Sequence, residues 1–328
     1  MANRFFIIGN GFDLHFQLPT KVSDFVELLE KQRVSAGLYG SAKDIFYQYG
    51  VEWSEFEDSL AQLDIESLYE DTYQVPDYLS DYESDRDGGI IQMEELIGQL
   101  FRARNNALEE MIRIAESDID DMVLECDPNI FNNSAIVSFN YTSVLEKLFN
   151  IENSTIYHIH GLFEAGDELI FGYKDTSKRM LETNYTINER LQNEKKKIKS
   201  DSKLSHSEKE KMIEEIDLEM QNIAMDYYLD EQRTIVNDFY DMNKKNFQYD
   251  ELNDYLVRLN NIDEVVVIGH SMTSVDYEYM EQINRILSPQ RWVISYYETK
   301  SDISCYSFCE KSYFMTIDEI FEYIEKEI

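Results

Sequence analysis

Two polar tips in this chain have residue types and spacing that suit chemistry. Asn140 follows the apolar run Ala135-Ile136-Val137-Ser138-Phe139 and precedes Tyr141-Thr142-Ser143. A neutral amide at the end of a buried strand holds a water or a sugar hydroxyl through both its donor and its acceptor. The same position also suits an N-cap or an Asx turn. His158 and His160 lie two apart before Gly161, so on a strand both side chains share one face. That spacing suits two metal ligands, yet a site needs a third or fourth ligand and His270 is the obvious remaining candidate. The preferred reading is therefore no metal, with His160 as a single catalytic imidazole and His158 packed below it. A histidine that titrates near neutrality can take a proton from a sugar hydroxyl or from water.

A third polar segment opens the chain. Arg4-Phe5-Phe6-Ile7-Ile8 runs into Gly9-Asn10-Gly11-Phe12-Asp13-Leu14. A buried strand that stops at paired glycines and feeds a helix lets backbone approach an anion, with helix N–H groups aimed at it. The usual dinucleotide fingerprint has a third glycine where Leu14 stands. No acidic residue closes a second strand at the usual distance, so a standard Rossmann dehydrogenase is not expected. Asp13 either bonds a ribose hydroxyl or caps its own helix, and the sequence leaves both open.

Gly269-His270-Ser271-Met272-Thr273 resembles a nucleophile elbow, but Thr273 replaces the last glycine and no histidine follows the serine. That order argues against an α/β-hydrolase. Ser271 then reads as a ribose or phosphate contact, with Asp276 at the next helix N-terminus, or as a capped turn. Trp53 and Glu57 fall one helical turn apart. They read as packing and solvation, or Glu57 stabilises positive charge developing on a sugar ring.

Elements must bring these tips together. The pattern predicts strands near 4–9, 135–139, 155–159, 169–171, 263–268, 292–297 and 307–315. It predicts helices carrying Phe25, Leu28 and Leu29, then over 52–63, 90–125, 142–149, 276–287 and 317–328. Thr142 and Ser143 read as N-caps. Residues 65–89 are acidic and Tyr-rich and read as a loop or a weakly ordered excursion. Strands separated by helices imply an α/β fold with a mainly parallel, doubly wound sheet. The expected organisation is one domain over 1–328 with helical insertions at 50–125 and 177–255. The second is charged, carries Lys195-Lys196-Lys197, and caps the pocket, binds a partner or dimerises the chain.

The bulk numbers narrow the partners. The chain has 328 residues, 43% of them hydrophobic, with 23 tyrosines and 18 phenylalanines, so a large aromatic-rich core is available. The 65 acidic residues outnumber the 30 basic ones, giving a net charge of −35. Such a surface repels nucleic acid and anionic membranes, and any phosphate pocket must be locally positive. No apolar run of about 18 residues occurs, which argues against a membrane span. The start is too short before the first strand for a signal peptide, so a cytoplasmic protein is expected. The three cysteines, Cys126, Cys305 and Cys309, form no Cys-x-x-Cys pair and read as reduced core thiols.

Taken as a series, these segments resemble the bacteriophage abortive-infection AbiH family. The resemblance rests on Ile7-Ile8-Gly9-Asn10-Gly11-Phe12-Asp13-Leu14, Leu18-Pro19-Thr20, Trp53 with Phe56-Glu57, and Ser138-Phe139-Asn140-Tyr141-Thr142. Further on it includes His158-Ile159-His160-Gly161, Phe171-Gly172-Tyr173-Lys174-Asp175, and Gly269-His270-Ser271-Met272 with Asp276. That family in turn is similar to the sirtuin-like NAD-binding fold. The likeness implies NAD as substrate or ligand, with Asn140 beside the nicotinamide ribose and His160 as base. Gly9, Asn10, Gly11, Asp13, Gly269, Ser271 and Asp276 would line the cofactor. The chain lacks the four-Cys zinc module of sirtuin deacylases, so the resemblance points to antiphage NAD cleavage rather than deacylation. It also implies a phage protein as trigger and leaves room for a homo-oligomer. The competing expectation is a sensor that binds NAD or ADP-ribose without chemistry and acts through partner contacts.

Overall fold

The computed structural model describes residues 3–53, 58–174, 180–222, 226–272, 276–296 and 312–326. In chain order the elements are β1 (Arg4–Ile8), α1 (Asn10–His15), α2 (Val22–Lys31), β2 (Arg33–Val34), β3 (Gly40–Ser41), α3 (Ala42–Gln48), α4 (Ile65–Thr72) and α5 (Glu83–Asp120). Then come β4 (Ala135–Ser138), α6 (Val144–Phe149), β5 (Ile156–His158), α7 (Asn184–Ser200), α8 (His206–Asn222), α9 (Tyr227–Met242) and α10 (Tyr249–Leu256). The chain closes with β6 (Glu264–Ile268), α11 (Tyr277–Leu287), β7 (Arg291–Ser295), β8 (Tyr313–Met315) and α12 (Ile317–Glu325).

Six strands form one parallel sheet in the order β5-β4-β1-β6-β7-β8. β1 and β6 are buried along their whole length, as central strands covered on both faces must be. Their side chains alternate between two cores. Phe5, Ile7, Val137, Val265 and Val267 meet Leu252 and Leu256 of α10 and Tyr279 and Ile283 of α11. Phe6, Ile8, Ile136, Val266 and Ile268 meet Phe12, Ile119, Leu145, Phe149, Ile320 and Ile324 on the opposite face. A further core, holding Phe25, Phe46, Leu68, Leu100, Val236 and Phe239, lies among α2, α3, α4, α5 and α9. The long helix α5 serves both layers, because its last turns place Ala115 and Ile119 against the sheet. Among the described residues no helix is long and apolar enough to cross a membrane.

Several sequence expectations need correction. Residues 65–89 are a loop only over 73–82: α4 buries Ile65, Leu68 and Tyr69 before it, and after it α5 begins at Glu83 and runs through Gly88-Gly89. Tertiary burial of Gly89 against Gln232 holds that glycine pair in a helix despite its low propensity. No strand forms over Leu169–Phe171. Instead the Ile170 N–H donates to the His160 carbonyl, and Tyr173 pairs with Lys244 as an isolated bridge. Over 52–63 the described part is a 3-10 turn at Asp58–Gln62. Glu57 and the start of the 307–315 strand lie outside the described residues, as do Cys305 and Cys309. The 177–255 stretch divides three ways. The α7–α8 pair has its own small core of Leu191, Ile198 and Ile216; α9 packs along α5; and α10 covers the sheet.

Candidate functional site

The C-terminal ends of β1, β4 and β6 lie side by side, and each delivers a turn to the same edge of the sheet. The turns after β1 and β6 interlock. The Gly9 N–H donates to the Ile268 carbonyl at 3.0 Å and the Gly11 N–H to the Gly269 carbonyl at 2.7 Å. A Cβ on Gly9 would lie 2.7 Å from His270 Cα, and one on Gly11 would lie 2.7 Å from Gly269 Cα. Gly269 itself has φ +69°, and its added Cβ would sit 2.1 Å from the Phe12 nitrogen. These glycines are thus required by backbone contact, and the Gly9 and Gly11 amides face the β6 tip in this conformation. Asn10 is exposed, with its Nδ2 donating to the Thr20 carbonyl at 2.8 Å. Ser271 is exposed as well.

Asp13 stands one helical turn beyond the glycines and is 2% exposed. Asn140 Nδ2 donates to its Oδ1 at 2.7 Å, and the Thr142 hydroxyl donates to its Oδ2 at 2.8 Å. Burial pushes the Asp13 carboxyl up to about 7; the two hydrogen bonds oppose that rise, and the charge of Glu116 adds to it. Thr142 therefore serves Asp13 rather than capping α6. Ser143 occupies the cap position, but its own N–H and hydroxyl both donate to Glu116, at 2.6 Å for the N–H. Glu116 also pairs with Lys147 at 3.0 Å, so α5 anchors the start of α6 from outside.

His160 lies two residues beyond the end of β5, in a turn completed by Gly161 at φ +85°. Its Nδ1 is 3.1 Å from the Phe139 carbonyl, which fixes the proton on Nδ1 and leaves Nε2 as the acceptor. The ring meets Phe139 edge-on and stacks near Tyr141. Burial, reinforced by the charge of Lys245, lowers the imidazole to about 3, so it is neutral at physiological pH. His158 turns elsewhere: its Nε2 pairs with Glu146 of α6 at 2.8 Å. The two imidazoles thus have separate surroundings. Among the described residues no three His, Cys, Asp or Glu side chains group to hold a metal ion.

Asp276 precedes α11 without capping it. Its carboxylate meets Lys245 Nζ at 3.2 Å and His270 Nε2 at 3.3 Å. Burial pushes this carboxyl up, and the His270 hydrogen bond with the charge of Lys245 outweighs it, holding the group well below the ordinary range. His270 Nδ1 accepts from the Met272 N–H at 2.9 Å, so its proton sits on Nε2, toward Asp276. Phe139 touches both His160 and His270, with centroids 5.2 and 4.4 Å away, and joins the β5 and β6 tips.

The sequence reading missed Lys245, Glu116, Arg104 and Tyr141. Lys245 is carried to the tips because its N–H donates to the Tyr173 carbonyl while Tyr173 N–H donates to Asn243. Arg104 is buried between Phe101 and Phe171 and donates to Asn243 and Asn105. Burial lowers its guanidinium to about 10. Glu116 and Arg104 did carry a signal, since both occupy the apolar stripe of α5, between Ile112 and Ile119 and between Leu100 and Leu108. Charges on such a stripe need partners.

Asn140 Oδ1 and His160 Nε2 are buried and have no hydrogen-bond partner among the described residues. Leaving a buried polar atom unsatisfied costs about 1–3 kcal/mol, so two at adjoining tips mark where a ligand or water belongs. Clefts of about 620 Å³ between α10 and α11 and about 390 Å³ between α2 and α5 lie away from this cluster. Neither hollow is lined by Asp13, Asn140, His160, Lys245, His270 or Asp276; their linings are ordinary surface side chains.

Fold and site together define a mixed α/β protein whose six-stranded parallel sheet gathers buried polar side chains at one edge. Residues 5–296 match the model of a family described as bacteriophage abortive infection AbiH, and the chain belongs to that family. Membership implies a role in phage abortive infection. No curated protein and no solved structure matches the chain at a significant level.

Proposed function

We propose that this chain is an abortive-infection effector that takes NAD at the sheet edge and hydrolyses the nicotinamide–ribose bond. The strand order supports reading the sheet as doubly wound and Rossmann-like, of the sirtuin-like kind, since such sheets bind dinucleotides beyond their strand tips. One observation carries the reading: the unpartnered acceptors of Asn140 and His160 flank the Phe139 tip. The donor set fits, because a ribose offers hydroxyl hydrogens to two buried acceptors. Asn10 and Ser271, as exposed side chains on the interlocked Gly9, Gly11 and Gly269 turns, are the contacts proposed for phosphate. Asp276 holds Lys245 at the same edge, which places a buried cation beside the strand tips in a chain of net charge −35.

In the proposed reaction nicotinamide leaves with the electron pair of the C–N bond, and positive charge develops on the ribose. Water adds to that carbon and releases a proton, giving ADP-ribose and nicotinamide. Asn140 Oδ1 orients a hydroxyl or the water, and His160 Nε2 accepts the hydrogen bond of the other. Water-poor surroundings strengthen both fixed dipoles. The cytoplasm, a phage-protein trigger and self-association belong to this reading.

The sensor reading has its own support: an imidazole lowered to about 3 is a good hydrogen-bond acceptor and a weak base. Incubating purified protein with NAD, with and without phage lysate, separates the two. Free nicotinamide supports hydrolysis; calorimetric binding of NAD without nicotinamide release supports the sensor; the absence of both release and binding refutes both readings.

A further inference from the structure

We propose that Asp13 is the positioning residue of this site: its Oδ1 holds the Asn140 amide with Nδ2 inward and Oδ1 presented to the occupant, while its Oδ2 holds the Thr142 hydroxyl. The proposal rests on the reading of Asn140 as a ligand contact. An amide has ends of equal shape and opposite polarity, so something must choose which one faces the site. An ionised carboxylate accepts and cannot donate. Asp13 therefore selects the NH2 end of Asn140, and the unpartnered buried Oδ1 is the consequence.

The geometry fits positioning better than direct ligand contact. Asp13 is 2% exposed, and each of its oxygens already accepts a hydrogen bond. Those bonds come from Asn140 and Thr142, so they clamp the turn between them. That turn carries Tyr141, whose ring stacks on His160 at 5.9 Å between centroids and whose hydroxyl donates to the Ile170 carbonyl. Asp13 thus fixes the amide directly and the ring beside His160 through the backbone.

Protonation reverses the selection. A neutral Asp13 carries one O–H donor; with that proton on the oxygen facing Asn140, its partner is Asn140 Oδ1 and the amide turns its Nδ2 toward the site. The charged group facing Asp13 from the neighbouring helix α5 is Glu116, which favours the protonated form, while Asn140 and Thr142 favour the ionised one. The balance lies near neutrality, so the site offers an acceptor above that pH and a donor below it.

The test is NMR of the full chain labelled with 15N-asparagine. The Asn140 side-chain amide is identified by its loss in Asn140→Ser and followed from pH 5.5 to 8.5. A shift with one midpoint near 7 in the wild type, absent in Asp13→Asn, is expected. Nicotinamide release should fall about a hundredfold in Asp13→Asn and recover in part in Asp13→Glu, as misplacement of a contact residue does. A pH-independent Asn140 amide in the folded wild type overturns the proposal, and this measurement needs no variant of Asp13 to fold. Should the wild type consume no NAD at all, the NAD reading fails while the resonance still decides the role of Asp13.

Discussion

Asn140 and His160, on separate strand connections, are tied to consecutive residues of one tip: His160 Nδ1 donates to the Phe139 carbonyl, and Asn140 is the next residue. Each side chain satisfies one of its polar ends within the protein and leaves the other buried and open. This coupling makes the two residues a unit, and units give non-additive losses on mutation.

The first prediction concerns that unit. His160→Ala and Asn140→Ala should each reduce nicotinamide release by about 10²–10³-fold, and the double variant should be scarcely worse than either single. Each variant also strips the donor from a buried acceptor, Asp13 Oδ1 or the Phe139 carbonyl, so each should cost about 1–3 kcal/mol of stability and release is compared per folded molecule. A double variant whose loss equals the product of the singles would show independent roles and refute the coupling.

Asp13 and His160 also set opposite trends of stability with pH. The Asp13 carboxyl is raised in the folded chain, so its stabilising contribution is full below about pH 4 and is lost as pH rises through about 7. The His160 imidazole is lowered, so its neutral form favours folding above about pH 6.5 and that advantage is lost as pH falls toward 3. Relative to Asp13→Asn, the wild type should lose on the order of 2 kcal/mol between pH 5 and pH 8. Urea titrations at both pH values check this; a constant difference removes Asp13 from the account.

Much of the sheet was legible because β1, β4 and β6 are short apolar runs ending in Gly or Asn, and these local patterns survive folding. Asn140 and Asp13 were legible as polar residues at such ends, although their mutual hydrogen bond spans 127 positions and no local pattern encodes it. Lys245 was invisible for the same reason: the Tyr173 backbone carries it to the site. The 65–89 segment misled because its carboxylates and tyrosines read as solvent-facing, while Leu68 and Tyr69 pack beneath them. His158 misled because strand alternation stops before His160, so shared-face reasoning no longer applied.

A third prediction separates scaffold from site. Glu264 is fully buried at the opposite end of the sheet, between Arg4 and Arg291, with the Tyr323 hydroxyl donating to it at 2.9 Å. Glu264→Gln leaves two arginines without their shared countercharge and should cost about 3–5 kcal/mol. Its distance from the strand tips predicts nicotinamide release per folded molecule close to that of the wild type. A large loss of release in fully folded variant would mean that the two ends of the sheet are coupled.

The final prediction concerns the interlocked turns. Gly269 has φ +69°, and a Cβ there would lie 2.1 Å from Phe12 N, on backbone that cannot swing aside as a side chain can. Gly269→Ala should therefore push β6 away from α1 and cost about 2–4 kcal/mol through strain and overpacking. Because α1 carries Asp13, the displacement reaches the Asn140 amide as well. The same substitution should thus lower both the denaturation midpoint and ligand affinity. Gly166→Ala is the matched control: φ is +73° there too, but its Cβ meets nothing within 4 Å. The control should lose about 1 kcal/mol from backbone strain alone and keep its affinity. Equal behaviour of the two variants would show that backbone conformation, rather than contact between the turns, decides the cost.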